Sequence, residues 1–119
     1  MMNLVFVYVT AGDAEEARRI GRSIVEERLA ACANIIPGMA SLYWWEGAVQ
    51  EGAEAVLILK TTTERLHALI LRIRDLHSYE CPAIEALPVA AAFEPYAEWV
   101  ARETHGGPAA SPAGLSRDR

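Results

Sequence analysis

The stretch SLYWWEGAVQ, residues 41–50, decides how this chain folds. Glu46 and Gly47 form a turn signal between two apolar runs, which predicts two strands joined by a tight turn. Successive side chains of a strand point to opposite faces, so Trp44 and Trp45 must emerge on opposite sides of a sheet. Burying one indole removes about 200 Å² from water, worth roughly 5 kcal/mol. Both faces of this sheet therefore need a cover.

Length and composition describe one small domain without a basic surface. A chain of 119 residues can bury about two-thirds of its unfolded surface. Its hydrophobic content of 52% argues against disorder. The net charge of -5 provides no electrostatic attraction for nucleic acid or an anionic membrane surface. We therefore expect neither of these partners.

The N-terminal apolar run and the cysteines indicate the compartment. Leu4–Val9 is shorter than a signal-peptide core of about 7 to 15 residues, and no basic residue precedes it. Cys32 and Cys81 form neither a disulfide framework nor a CxxC pair. We expect a cytoplasmic protein with reduced thiols and no membrane span.

Apolar residues recur at helical spacing in three segments. Asp13 followed by Glu16 fits a capping box at the start of the first. Thr62 or Thr63 caps the second, and a proline at the first helical position begins the third. The predicted helices are Asp13–Ala31, about Glu64–Leu76, and Pro95 to about Glu103.

The intervening segments predict an antiparallel sheet. The predicted strands are Leu4–Val9, Ala33 to about Trp45, about Val49–Thr61, and Ile84–Val89. Pro37 with Gly38 predicts a kink or bulge in the second strand. The resulting order, β-α-β-β-α-β plus a short C-terminal helix, is an α+β, ferredoxin-like split βαβ sandwich with two helices on one face of the sheet.

This fold leaves the second face of the sheet without a cover. One of Trp44 and Trp45 is expected to pack beneath the helices, and a partner subunit is expected to cover the other. We place the folded domain at residues 1–104. The Gly-, Pro- and Ser-rich residues 105–119 predict a mobile C-terminal tail.

A series of short strings resembles the CutA divalent-cation-tolerance family over residues 4 to about 104. In chain order the strings are VTAGDAEEA, VEERLAACANIIPG, SLYWWEGAVQEGAE, LILKTT and HSYECPAIEALPV. The resemblance implies a cytoplasmic homotrimer of ferredoxin-like subunits that acts in tolerance to copper and other divalent cations. It implies no settled enzymatic activity.

The chain departs from this family at the positions of a proposed copper site. In relatives with that site, a cysteine ends the first strand and a His-His pair precedes Pro-Tyr. The matching positions here hold Val9, Leu76 with His77, and Ser78 with Tyr79. His77 is the one residue that matches those ligands.

A candidate metal site lies in the loop before the last strand. His77, Glu80 and Cys81 form an H-x-x-E-C string, and imidazole, thiolate and carboxylate suit copper or zinc. If the chain binds Cu(II) or another divalent cation, we expect His77 to be the principal ligand of a weak site. The alternative is that His77 caps the C-terminus of the preceding helix and that Cys81 is a small side chain at a strand entrance.

Two hypotheses about function remain. The chain has no nucleophile motif and no phosphate-binding loop, so we expect no enzymatic activity and no required cofactor. The first hypothesis is a homotrimer of metal-ion response that binds copper or a related cation weakly. The alternative is a signalling or scaffolding trimer that binds a small ligand or a protein partner at its subunit clefts.

Overall fold

The computed structural model describes residues 3–105, and its elements follow the predicted order. They are β1 Leu4–Ala11, α1 Ala14–Glu26, β2 Cys32–Trp45, β3 Ala48–Thr62, α2 Thr63–Leu76, β4 Ile84–Pro88 and α3 Glu94–Thr104. The predicted tail lies outside the described residues except for His105. None of the helices in the described range is both long and apolar enough to cross a bilayer.

The four strands form one antiparallel sheet in the order β2-β3-β1-β4. Helices α1 and α2 lie on one face, and the core fills the space between them and the sheet. Val7 illustrates the register, since it pairs with Leu59 on one side and with Ala86 on the other. The predicted ferredoxin-like fold is confirmed. The fully buried side chains of its core include Val7, Val9, Ile20, Ile24, Leu57, Leu59, Leu69 and Ile73.

Helix α1 begins as predicted and ends earlier than predicted. The Asp13 carboxylate accepts the N–H of Glu16 at 2.8 Å. The helix stops at Glu26 rather than Ala31, because Arg28 adopts a left-handed φ of 61°. The N–H of Leu29 then donates to the Ile24 carbonyl at 3.1 Å, which closes the last turn of the helix. Leu29 and Ala30, which continued the apolar pattern of the helix, are buried in this turn.

The predicted bulge is present in β2. The pairing of β2 with β3 shifts between Ile36 and Met39, at Pro37 and Gly38. Beyond it the two strands continue as a long hairpin, whose end we call the arm (residues 42–50). Trp44 pairs there with Val49, and Trp45 pairs with Ala48.

Neither tryptophan of the arm packs beneath the helices, so that prediction is wrong for the single chain. Trp44 is 74% exposed and Trp45 is 61% exposed. The reason is the difference in length between helix α1 and strand β2. The 13 residues of α1 cover roughly 20 Å of the sheet, whereas the 14 residues of β2 extend over roughly 46 Å. The arm therefore extends past the helices.

The second face of the sheet is partly covered by the chain itself. Lys60 and Phe6 are paired across β3 and β1 on this face, and the Lys60 ammonium lies 5.1 Å from the Phe6 ring. The same ammonium lies 5.9 Å from the ring of Tyr96 in α3. The C-terminal helix thus packs on the face that the sequence analysis left without a cover.

Candidate functional site

The candidate site is the loop between α2 and β4 (residues 77–83, the β4 loop). It begins at His77, which is the C-terminal capping residue of α2 and donates its backbone N–H to the Ile73 carbonyl at 2.9 Å. The His77 side chain is fully buried. This position agrees with the alternative interpretation, in which His77 ends the preceding helix.

Both ring nitrogens of His77 are hydrogen-bonded within the chain. Nε2 lies 2.7 Å from the Thr10 carbonyl oxygen, and Nδ1 lies 3.0 Å from the backbone nitrogen of Tyr79. A carbonyl oxygen can only accept, so Nε2 carries the proton, and Nδ1 accepts the N–H of Tyr79. The ring is therefore in its neutral Nε2–H form and joins the end of β1 to the β4 loop.

The Glu16 carboxylate makes a second connection to this loop. Its two oxygens accept the backbone N–H of Gly12 at 3.0 Å and that of Ser78 at 2.7 Å. Burial alone would raise the pKa of this carboxyl, but the hydrogen bonds from Ser78 and Gly12 outweigh burial and lower the pKa below its usual value. Glu16 therefore stays ionised and holds both backbone segments.

Tyr79 makes the third connection. Its hydroxyl donates to the Glu54 carboxylate of β3 at 2.8 Å, and its ring centroid lies 4.6 Å from that of His77. Burial raises the pKa of the Tyr79 phenol, and the neighbouring Glu54 carboxylate raises it further. The phenol thus remains a neutral hydrogen-bond donor.

The predicted ligands do not form a metal centre within one chain. Glu80 and Cys81 are exposed, whereas His77 is buried. Within residues 3–105, no three His, Cys, Asp or Glu side chains are placed so that they could hold a metal ion. One chain therefore does not bring the three predicted ligands together, and the ligand set His77, Glu80 and Cys81 stays a prediction.

The residues that organise this loop were not predicted from the sequence. Glu16 was predicted as part of a helix cap, but its contact with Ser78 spans 62 positions of the chain. Tyr79 and Glu54 stand within the strings that resemble the family, and neither was assigned a role in the loop. Their hydrogen bond has no local sequence signal, because it links β3 to a loop 25 residues later.

Comparison with known proteins identifies the family. The profile of the CutA1 divalent ion tolerance protein family matches residues 5–103. The divalent-cation tolerance protein CutA of Thermus thermophilus is 45% identical over 98 residues, which is 82% of this chain and 95% of that protein. Its solved structure superposes with a TM-score of 0.82 at 43% identity, covering 84% of this chain and 97% of that chain.

A plant relative identifies the same family, although this chain covers a smaller share of that protein's length. The chloroplastic CutA 1 of Oryza sativa is 44% identical over 100 residues, which is 84% of this chain but 56% of that protein. Crystalline CutA1 from Oryza sativa superposes with a TM-score of 0.84 at 42% identity, over 87% of this chain and 95% of that chain. Since the profile matches nearly all of the described residues, this chain belongs to the CutA1 divalent ion tolerance protein family.

Proposed function

We propose that this chain acts in divalent-cation tolerance as a homotrimer without enzymatic activity. The observation that carries the assembly is the arm, where Leu42, Trp44 and Trp45 are each more than half exposed. Leu42 and Trp44 lie on one face of the arm and Trp45 lies on the opposite face, and monomeric proteins rarely leave such large apolar side chains together in water. Contact with further copies of the chain would remove this surface from water and provide the missing cover.

We further propose that Cu(II) or a related divalent cation is bound weakly, as cargo and not as a resident cofactor. Glu80 and Cys81 offer an oxygen and a sulfur donor at an exposed position, and a thiolate suits copper. A site with only these two donors binds a cation weakly, unless another copy of the chain contributes further ligands. The free cysteines suit a reducing compartment such as the cytoplasm, which is our proposed location.

The assembly is tested by light scattering of the wild type and of Trp45→Arg. We expect three chains per particle for the wild type, and monomers or aggregates for the variant, because a buried guanidinium without a partner is costly. Leu71→Arg is the matched control, since Leu71 is an exposed apolar residue of α2 away from the arm. A well-folded wild-type monomer at nanomolar concentration would contradict the proposal.

Cation binding is tested by calorimetric titration with Cu(II) at neutral pH. We expect weak, saturable binding that decreases in Cys81→Ser and in Glu80→Gln. The same variants are then expressed in a copper-sensitive host, where loss of binding should lower the tolerated copper concentration. Wild-type protein that neither binds Cu(II) nor changes tolerance would exclude the copper proposal.

The second hypothesis is a non-enzymatic signalling or scaffolding trimer that binds a small ligand or a protein partner at its subunit clefts. On the single chain, the depression of about 460 Å³ along the β2–β3 hairpin, lined by Met39, Ala40, Glu51, Gly52 and Ala53, is shallow and open, so a cleft would have to be completed by a second copy of the chain. Titration with common nucleotides, beside the copper titration, distinguishes the two. Nucleotide binding without copper binding would favour this second function.

A further inference from the structure

We propose that His77 is a positioning residue rather than a cation ligand: its ring is a latch, a pair of hydrogen bonds that fixes the β4 loop. This reverses the role that the sequence analysis predicted for it. The inference concerns the geometry of the loop and does not depend on the proposed cellular function.

Both nitrogens of the His77 ring are already hydrogen-bonded within the chain. A metal needs a nitrogen lone pair, and the only lone pair of the neutral ring is on Nδ1, which faces the N–H of Tyr79 at 3.0 Å. Ligation through Nε2 would require the other tautomer and would leave the Thr10 carbonyl without its donor. In metal sites one ring nitrogen commonly donates to a carbonyl while the other faces the metal. Here the second nitrogen accepts the Tyr79 N–H, and the Glu16 carboxylate, 3.6 Å from it, is itself engaged by the N–H groups of Gly12 and Ser78.

Burial separates the His77 ring from cations in solution. The His77 side chain has no exposed surface, so a cation has no approach to the ring unless the loop opens. Opening would break the contacts on both sides of the ring. A hydrated divalent cation would also lose its water shell, and within residues 3–105 no group of three acidic, thiol or imidazole side chains is placed to replace it.

The latch belongs to a set of three connections that fix the β4 loop. Glu16 ties Ser78 to the start of α1, His77 ties Tyr79 to the end of β1, and the Tyr79 hydroxyl reaches Glu54 in β3. The three consecutive residues His77, Ser78 and Tyr79 are thus fixed to β1, α1 and β3, respectively. The next two residues are the exposed Glu80 and Cys81, so their position depends on the latch.

The ring can be observed directly by NMR of the ¹⁵N-labelled wild-type protein, with diamagnetic Zn(II) as the probe cation. We expect the His77 nitrogens to show the neutral Nε2–H pattern and to keep their chemical shifts at excess Zn(II). His67→Gln and His105→Gln, both at exposed positions, assign the remaining histidine signals. A shift of either His77 nitrogen toward a metal-bound value would overturn the proposal.

Hydrogen exchange tests the latch whether or not Zn(II) binds. In His77→Ala the amide of Tyr79 should exchange at least about tenfold faster, because its acceptor is lost. His77→Asn places an oxygen near the position of Nδ1 and should restore part of this protection. Amide protection of Tyr79 that is unchanged in His77→Ala would refute the latch, and His67→Ala is the matched control on the solvent face of α2.

Discussion

At the scale of single residues, the Glu16 carboxylate joins two parts of the chain that are far apart in sequence. It accepts hydrogen bonds from Gly12, just before α1, and from Ser78, just after α2. Both are backbone donors that would otherwise rely on water. A charged acceptor strengthens such bonds, and this explains the direction of its pKa shift.

We predict that Glu16→Gln lowers the free energy of unfolding by about 1.5–3 kcal/mol at neutral pH, since a hydrogen bond to a charged group contributes about that much. The folded-state pKa of Glu16 is lowered. Its contribution is therefore present above the usual carboxyl pKa of about 4.3 and is lost as the pH falls through the lower folded value.

The Glu16→Gln variant should consequently lose less stability on acidification than the wild type does. Denaturant unfolding at several pH values measures both effects. Glu15→Gln is the matched control, because Glu15 is an exposed carboxylate in the same helical turn. Equal stability of the two variants across the acid range would count against the role of Glu16.

At the scale of elements, the distance between α1 and the sheet depends on Gly21. A Cβ at this position would lie 3.0 Å from Leu57 Cδ1 and 3.1 Å from Ala33 Cβ. Ala33 Cβ is fixed to the backbone of β2, and Leu57 Cδ1 belongs to a fully buried side chain of β3, so an added methyl group requires either repacking of Leu57 or a shift of the helix. The absence of a side chain therefore allows the helix to pack closely on β2 and β3.

We predict that Gly21→Ala destabilises the fold by about 1–2 kcal/mol. Overpacking of a core costs about 1–3 kcal/mol, and the better helix propensity of alanine returns up to about 1 kcal/mol. Gly38→Ala is the control, since an added Cβ there meets no atom within 4 Å and should leave stability nearly unchanged. Thermal unfolding of both variants provides the comparison, and a stabilised Gly21→Ala would show that the helix can shift freely.

At the scale of the whole molecule, the C-terminal helix α3 packs on the sheet and contacts the turn after α1. Arg28 donates to the Glu103 carbonyl at 2.9 Å and lies 3.1 Å from the Glu103 carboxylate. Val100 and Thr104 are buried. These contacts join the turn after α1 to the end of α3.

We predict that a chain ending at His105 unfolds within about 0.5 kcal/mol of the full chain, because the Gly-, Pro- and Ser-rich sequence of residues 106–119 offers few apolar side chains to bury. A chain ending at Trp99 should lose the Arg28–Glu103 contact and be markedly less stable. Denaturant unfolding with light scattering measures stability and assembly together. Misfolding or dissociation of the chain that ends at His105 would assign a structural role to residues 106–119.

The elements and their order were determined by the sequence alone, because hydrophobic periodicity, capping and turn chemistry act between near neighbours. The capping role of Asp13 and the bulge at Pro37 were therefore predictable. Only the tertiary structure decided where α1 ends, since Arg28 is held by Glu103 from 75 positions away.

The same distinction between local and long-range interactions explains what could be predicted about the tryptophans and about His77. Alternation placed Trp44 and Trp45 on opposite faces, but their exposure follows from the different lengths of helix and strand, which matter only after the elements pack. His77 was recognisable as a possible ligand by its type and its neighbours. Its hydrogen bond to Thr10 joins residues 67 positions apart, and contacts over such separations exist only once the chain is folded.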